Sequence, residues 1–302
     1  MIKHLQNTDI NFIRWDHCIN NAINGSVFAH SWYLNILNDD WEALVMGNYD
    51  YVMPLLHKIK MNKVIYYSPI LGARQGVFSN NLLSDKIIQK FIDAIPKNNT
   101  VINISLNLFN QIKLKNVSYN ATYELDLIQT HQKIAANYTN QFQRELDAAI
   151  KNKITIVKGL LPNELINFSQ RKDVISQPRL NPSENQQLRM IMAYCLRHSL
   201  GETYCAYGEH NNLLAAAFFI KSKRKWQLLF AANSKYGIEN NAFHALIDKY
   251  IEVHAEKDLT LNIENAISSN TKDFFIGLGA KEFKFQQYYA NHLPFLYRLI
   301  IK

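Results

Sequence analysis

One segment of the sequence places backbone amides and small polar side chains where an anion could bind. AANSKYGIEN, at residues 231–240, joins a predicted buried strand to a long amphipathic helix. A helix that begins directly after a buried strand offers unpaired N–H groups and the positive end of its dipole, which together favour phosphate. The pattern therefore predicts a cofactor-binding turn, and its candidate residues are Asn233, Ser234, Lys235, Tyr236 and Gly237.

A second loop, SPILGARQGVFSN at residues 68–80, combines two glycines with Arg74 and Gln75. Glycines allow close backbone approach and arginine supplies charge, so this loop predicts substrate binding; the alternative is an ordered loop whose glycines serve turn geometry. Trp32, in the helix-opening stretch HSWY, could wall the same substrate site or fasten its helix to a sheet.

Glu264 and Asn265 follow the predicted strand Leu259–Ile263 at its carboxyl end. In a sheet with parallel strands this end faces the ligand cleft. Glu264 could accept a proton from an attacking amine or anchor a cationic substrate, and Asn265 could contact the same substrate. The alternative is a carboxylate that stabilises a helix N-terminus.

The elements that must position these residues recur in one order. Each half begins with helices, followed by three strands, a helix and a further strand. In the first half the predicted strands and helix are Trp41–Met46, Tyr51–Ile59, Val64–Ser68, Leu83–Ile95 and Val101–Ser105. In the second half they are Thr203–Tyr207, Leu213–Lys221, Trp226–Ala232, Asn241–Ala255 and Leu259–Ile263. Helix Thr271–Gly277 and strands Glu282–Tyr289 and Pro294–Ile301 are predicted to complete the sheet, so the pattern predicts an α/β fold with mixed sheets, in two domains.

Composition narrows the function classes. The chain has 302 residues, 48% of them hydrophobic, and a net charge of +8 that favours anionic partners. No apolar run reaches the roughly 20 residues of a membrane span, and the N-terminus has no secretory pattern, which predicts a cytoplasmic protein. No H-E-x-x-H or paired ligand spacing occurs among the ten histidines, so no metal is predicted.

Three segments together resemble the acyl-CoA N-acyltransferase (GNAT) fold in tandem, as in the Fem-type peptidoglycan aminoacyltransferases. They are VFAHSWYLNILNDDWEALVMGNYDYVMPLLHKIKMNKVIYYSPILGARQGVFS, YTNQFQRELDAAIKNKITI and FFIGLGAKEFKFQQYYANHLPFLYRL. The first and last are similar to a bacterial group of GNAT-fold proteins that is common in Bacteroidetes. The resemblance implies GNAT-like domains at 1–137 and 138–302, with the last strand on either sheet.

The resemblance also implies ligands and roles. In GNAT enzymes the turn after the fourth strand holds the pyrophosphate of coenzyme A, and here it is NSKYGIEN, with Gly237 kept and Glu239 near the second glycine position. A carboxylate there opposes a pyrophosphate. The family's general acid, a tyrosine or lysine after the fifth strand, corresponds to Phe275, which carries no proton and is expected to contact substrate.

The implied function is transfer of an activated acyl group, as acetyl-CoA, another acyl-CoA or an aminoacyl ester, to a small-molecule or peptide amine, with Glu264 as the catalytic residue. tRNA is a candidate carrier of the aminoacyl group. The alternative is a non-catalytic GNAT scaffold that binds an anionic ligand or a protein, which Phe275 and Glu239 favour.

Overall fold

The computed structural model describes residues 1–72, 74–114, 116–263 and 271–298. The chain divides into two compact units, unit 1 with Met1–Ala121 and Lys284–Lys302, and unit 2 with Thr122–Phe283. The predicted boundary at residues 137 and 138 therefore differs from the observed division, because residues 122–137 lie in unit 2 and the C-terminal segment lies in unit 1. The chain passes from one unit to the other inside two long strands.

The strands are β1 Ile2–Leu5, β2 Glu42–Met46, β3 Tyr51–Leu55, β4 His57–Lys60, β5 Lys63–Tyr67, β6 Phe78–Ser79, β7 Thr100–Ser105, β8 Val117–Asp126, β9 Thr155–Lys158, β10 Val174–Gln177, β11 Gly201–Tyr207, β12 Leu213–Ser222, β13 Lys225–Ser234, β14 Thr260–Ile263 and β15 Lys281–Asn291. The α-helices are α1 Phe12–Asn21, α2 Ser31–Leu37, α3 Asp85–Ala94, α4 His131–Ala135, α5 Asn140–Lys151, α6 Pro162–Ser169, α7 Pro182–Arg197, α8 Lys235–Glu239, α9 Ala242–His254, α10 Thr271–Gly277 and α11 Phe295–Arg298.

Unit 1 contains a small sheet in the order β1-β2-β3-β6 and a second set of strands in the order β4-β5-β7-β15. In the second set β5 and β7 are parallel and joined through α3, while the outer pairs are antiparallel. The apolar side of α3, with Ile88, Phe91 and Ile92, packs on the inward residues of these strands. This burial holds the helix in place, because a ten-residue helix is marginal by itself in water.

Unit 2 arranges its strands in the order β8-β14-β13-β12-β11-β9. Only β13 and β14 are parallel within this series, and α8 and α9 connect them. Helix α9 buries seven residues, among them Phe243, Leu246 and Tyr250, in the core of the unit. Tyr250 stacks on Phe219 of β12 at 3.6 Å between ring centroids, so the helix is fixed on one sheet face beside the turn that precedes it.

Most predicted elements are present with shifted ends. The predicted strand Tyr51–Ile59 is wrong as a single strand, since β3 and β4 belong to different sets and the chain turns between them. Leu55 and Leu56 are both fully buried, and two adjacent buried residues break the alternation of one strand. The predicted strand Pro294–Ile301 is also wrong over its described part, which is helix α11. Strands β1, β6, β8, β9 and β10 were not predicted.

Candidate functional site

Strands β13 and β14 run parallel but stay paired only over a short distance. Their register extends from Lys225 opposite Thr260 to Leu228 opposite Ile263. β13 then continues for six more residues to Ser234, at the start of the predicted cofactor turn. The carboxyl ends of parallel strands are the usual ligand position in sheets of this kind. Here the predicted cofactor residues from Asn233 to Gly237 end β13 and begin α8, and their binding role stays a prediction.

The turn itself is tightly packed. Ser234 caps α8, and its Oγ accepts a hydrogen bond from the amide of Gly237 at 2.9 Å. A Cβ on Gly237 would lie 2.3 Å from Asn233 Oδ1 and 2.5 Å from the carbonyl oxygen of Leu214. Glycine is therefore required here for close approach of helix and strand rather than for a left-handed backbone. Ser234 and Asn233 are buried, whereas Lys235 and Tyr236 are exposed.

Strand β10 covers the edge of β13 that β14 leaves. Its four residues pair antiparallel with Ala231–Ser234, from Val174 opposite Ser234 to Gln177 opposite Ala231. The contact continues into the turn, where the amide of Lys235 donates to the carbonyl oxygen of Asp173 at 2.8 Å. Two amides of the predicted turn, those of Lys235 and Gly237, are thus bonded within the chain. A pyrophosphate would have to compete with both bonds.

Asp173 is also held through its side chain. Arg171 donates two hydrogen bonds to its carboxylate, at 3.0 and 2.7 Å. The hydrogen bond from Arg171, with a smaller contribution from the charge of Lys235, keeps the pKa of Asp173 below its ordinary value. The carboxylate therefore stays charged at neutral pH, and its bonds to Arg171 stabilise the turn directly before β10.

One polar atom at this point has its hydrogen-bonding capacity unused. Asn233 is 5% exposed, and its Oδ1 has no hydrogen-bond partner among the described residues. A buried amide oxygen without a donor costs free energy. Asn233 Oδ1 is therefore a buried acceptor beside Gly237 that no described donor satisfies.

The predicted substrate residues of the first half all lie in unit 1. Gln75 is bonded to the neighbouring chain segment through its backbone. Its backbone N–H donates to Ser105 O and its backbone carbonyl oxygen accepts from Asn107 N, each at 2.7 Å. The guanidinium of Arg74 lies 4.9 Å from the ring centroid of Phe285. Trp32 is half-buried on α2 with its ring edge-on to Tyr33. These contacts are those of an ordered loop and a packed helix, and the substrate-binding roles of the three residues stay predictions.

Phe275 lies in the core of unit 2. It is fully buried, and its ring is 5.6 Å from that of Tyr123 and 5.2 Å from that of Phe274. These are packing contacts, and its predicted contact with substrate remains a prediction. Glu264 and Asn265 lie outside the described residues. Within the described part of the chain, no group of three or more His, Cys, Asp and Glu side chains is arranged to hold a metal ion.

Neither β10 nor the residues that hold it against β13 are predicted from the sequence. VISQ has only one alternation of apolar and polar residues, which is too short for a strand pattern. The position of β10 depends on the edge of β13 with which it pairs, and no pattern in the sequence around Val174–Gln177 indicates that distant edge. The RKD stretch before β10 contains Arg171 and Asp173, which form an ion pair at 2.7 Å.

The arrangement matches known structures. The chain is similar to the crystal structure of FemX, with a TM-score of 0.63 at 12% identity, over 99% of this chain and 100% of that one. It is also similar to a conserved protein of unknown function from Bacteroides thetaiotaomicron VPI-5482, with a TM-score of 0.55 at 11% identity, over 96% and 100% of the two chains. No protein-family model and no curated protein matches the chain.

At these identities the likeness is one of fold. It confirms the predicted Fem-like GNAT fold with mixed α/β architecture. None of the helices in the described ranges is both long enough and apolar enough to cross a membrane.

Proposed function

We propose that the chain transfers an activated acyl group to a substrate amine, with the chemistry at the carboxyl ends of β13 and β14. The supporting observation is that β13 continues from Leu228 to Ser234 beyond its parallel pairing with β14, so that residues at the carboxyl end of β13 extend past that pairing. Glu264 follows Ile263 directly in the chain, so it is the candidate base. The Fem-like fold is compatible with this chemistry, although a fold by itself does not determine a reaction.

In this proposal the amine nitrogen attacks the acyl carbonyl carbon and a new C–N bond forms. The bond from carbon to the carrier's oxygen or sulfur breaks, and the carrier leaves with its electron pair. Glu264 takes the proton that the amine loses and returns it to the leaving carrier. Amides near the turn other than those of Lys235 and Gly237 would stabilise the negative charge that develops on the carbonyl oxygen.

An aminoacyl ester is the donor that we favour over a coenzyme A thioester. The amides of Lys235 and Gly237 are bonded to Asp173 and Ser234, and Glu239 adds a negative charge at the end of α8. A pyrophosphate carries several negative charges and needs free amides or cations. An aminoacyl ester on a ribose brings hydroxyl and amino donors instead, and Asn233 Oδ1 can accept from one of them. tRNA is the carrier that the Fem-type resemblance suggests.

Thermal unfolding with two small probes tests the donor. One probe is acetyl-CoA, and the other is an aminoacyl-adenosine whose ester is replaced by an amide. A ligand at 100 times its Kd stabilises a protein by about 2.7 kcal/mol, which is readily measured. We expect the aminoacyl-adenosine to raise the unfolding temperature and Asn233→Leu, of similar volume, to abolish the shift.

The results separate the claims. A shift with acetyl-CoA alone would contradict the choice of an ester donor while keeping acyl transfer. No shift with either probe at millimolar concentration would contradict the proposed function. Gln227→Leu is the control variant. Gln227 lies on the same strand, four residues before the segment Ala231–Ser234 that pairs with β10, and its replacement should leave the thermal shift unchanged.

A non-catalytic binding protein is the second candidate. The buried Phe275 stands where the resemblance places a proton donor, and it can give no proton. A binding protein would show the thermal shift but form no transferred product, and Glu264→Gln would change neither.

A further inference from the structure

The strands β4, β5, β7 and β15 of unit 1 have two chemically different faces. Side chains alternate between faces along each strand, and the register fixes which residues share a face. Tyr66, Ile102, Ile104 and Tyr288 point to the core beneath α3. The neighbouring residues along the same strands therefore form the opposite face.

This opposite face is basic and aromatic. The register pairs Lys58 with Ile65, Tyr67 with Asn103, and Asn103 with Tyr289. The face has a depression of about 300 Å³, whose lining includes Lys58, Lys60, Tyr67, Asn103, Gln287 and Tyr289. No aspartate or glutamate is among the described residues that line it. An anion there meets two ammonium groups and no opposing carboxylate.

The rings and cations are arranged side by side. Lys58 Nζ lies 5.0 Å from the ring centroid of Tyr67, within cation–π distance. Tyr289 is 45% exposed, a large fraction for a tyrosine in the middle of a sheet. A flat apolar ring left open to water beside positive charge is suited to a ligand that carries both a ring and a phosphate.

Amide side chains complete the face. Gln287 Nε2 donates to Asn103 Oδ1 at 2.6 Å, and Asn120 Nδ2 donates to Gln287 Oε1 at 2.7 Å. The chain of bonds fixes the orientation of each amide, because carbonyl oxygens only accept and amino groups only donate. The side chain of Gln287, which lines the depression, keeps a second N–H that can donate to a ligand.

Part of the same face is closed by the chain. Leu293 and Tyr297 pack over Val101 and Ile65, and Lys63 Nζ lies 4.5 Å from the ring centroid of Tyr297. This closure covers the apolar end of the face. The polar and aromatic end around Tyr67 and Tyr289 is left as the depression.

We propose that this face binds single-stranded nucleic acid. Lys58 and Lys60 contact phosphates, and unpaired bases stack on Tyr289 and on the edge of Tyr67. Sheet faces that combine exposed rings with basic side chains bind unpaired bases through stacking and backbone charge. A double helix hides its base faces, and an acidic peptide would use the lysines without the rings. The proposal concerns unit 1 and does not rest on acyl transfer by unit 2.

Fluorescence anisotropy of the full chain with labelled twelve-residue oligo(U) and oligo(dT) tests the proposal. We expect Lys58→Gln with Lys60→Gln to weaken binding at least tenfold. The slope of log K against log[salt] should fall by about 0.7 for each lysine that contacts a phosphate of a single strand. Tyr289→Leu should weaken binding at least fivefold, since a base stack contributes about 1 to 3 kcal/mol. Tyr289→Phe keeps the ring and should restore it.

Controls separate a specific face from general attraction to polyanions. Lys90→Gln, on the exposed side of α3, should leave the affinity unchanged. Heparin, which has charge but no bases, should bind to wild type and to Tyr289→Leu equally and more weakly than oligo(U). The proposal is overturned if the oligonucleotides do not bind, if Tyr289→Leu binds as tightly as Tyr289→Phe, or if duplex RNA competes as well as single strands. Circular dichroism of each variant confirms folding.

Discussion

Gly237 connects the sequence to the geometry of the candidate site. Its amide is used by the Ser234 cap, and its Cα lies against Asn233 and the backbone of Leu214. The backbone of Leu214 cannot move aside as a flexible side chain can. The residue thus has a packing role that a search for phosphate-binding glycines does not distinguish from a binding role.

Gly237→Ala should destabilise the protein by about 1 to 3 kcal/mol, because the added methyl overlaps a backbone carbonyl and forces helix and strand apart. Urea unfolding measures this loss. Gly277→Ala is the matched control, since its Cβ would lie 3.3 Å from the nearest atom of Phe142, which is a side chain. Equal losses of unfolding free energy for the two variants would contradict the claim that close packing at Gly237 requires glycine.

Glu202 is the most strongly perturbed carboxylate among the described residues of unit 2. His254 Nε2 and Lys158 Nζ lie 3.2 and 2.7 Å from its oxygens. His254 Nδ1 donates to the carbonyl oxygen of Tyr250, so the ring faces Glu202 with its other nitrogen. Burial raises the pKa of Glu202, but the contacts with His254 and Lys158 outweigh burial and lower it to about 2.

Because the folded pKa lies below the ordinary value of 4.5, Glu202 stabilises the fold above that pH and loses this effect as pH falls toward about 2. Glu202→Gln should lower the free energy of unfolding at pH 7 by about 1 to 3 kcal/mol. The difference from wild type should shrink when urea unfolding is repeated at pH 3. Glu209→Gln, which breaks an exposed pair with Lys153, should cost about 0.5 kcal/mol or less at both pH values. A pH-independent loss for Glu202→Gln would contradict the assignment.

Among the elements, β10 controls the edge of β13 at the candidate site. Bonded pairs alternate along an antiparallel ladder, and Lys235 donates to Asp173, so Ile175 and Asn233 form the next bonded pair. Four residues of edge strand contribute few bonds. β10 is accordingly the element whose release would open β13 to a donor.

Ile175→Pro should release β10, because proline removes the amide that this ladder needs. Hydrogen exchange at the amides of Ala231 and Asn233, which face β10, should accelerate at least tenfold, while exchange in β11 stays unchanged. Ile175→Thr keeps the amide and a β-branched side chain, so it should exchange like wild type. Unchanged exchange in Ile175→Pro would mean that β10 does not protect this edge.

The whole chain interleaves its two units in sequence. Lys284–Lys302 belongs to unit 1, and within it β15 pairs with β7 from Gln287 opposite Ser105 to Asn291 opposite Val101. Unit 1 is therefore incomplete without residues 284–302, the last nineteen residues of the chain.

Truncation after Phe283 should unfold unit 1 and leave unit 2 folded, because β7 and Ile112 lose their partners on β15. Trp15 and Trp41, fully buried in unit 1 at 4.7 Å between rings, report this loss by fluorescence, whereas Trp226 reports unit 2. Single-tryptophan variants separate the two signals. Native fluorescence of Trp15 in the truncated chain would contradict the division into units.

Local patterns were sufficient for elements with a long apolar run, such as β12 and β13, or a clear apolar face, such as α3, and the segment resemblances predicted the Fem-like fold. The interleaving could not be predicted, because it depends on β8 and β15, whose pairings are long-range. At the site, the predicted turn is the end of β13, with Asn233 and Ser234, followed directly by the short helix α8. The bonds that occupy its amides come from Asp173 and Ser234, and distant backbone partners leave no local pattern.

Product formation tests the central claim most directly. The full chain is mixed with an aminoacyl ester donor and a panel of primary amines, and mass spectrometry detects the amide product. We predict an amide whose formation falls at least a hundredfold in Glu264→Gln and is unchanged in Glu239→Gln. Absence of any amide with ester and thioester donors alike, or full turnover by Glu264→Gln, would contradict acyl transfer at the ends of β13 and β14.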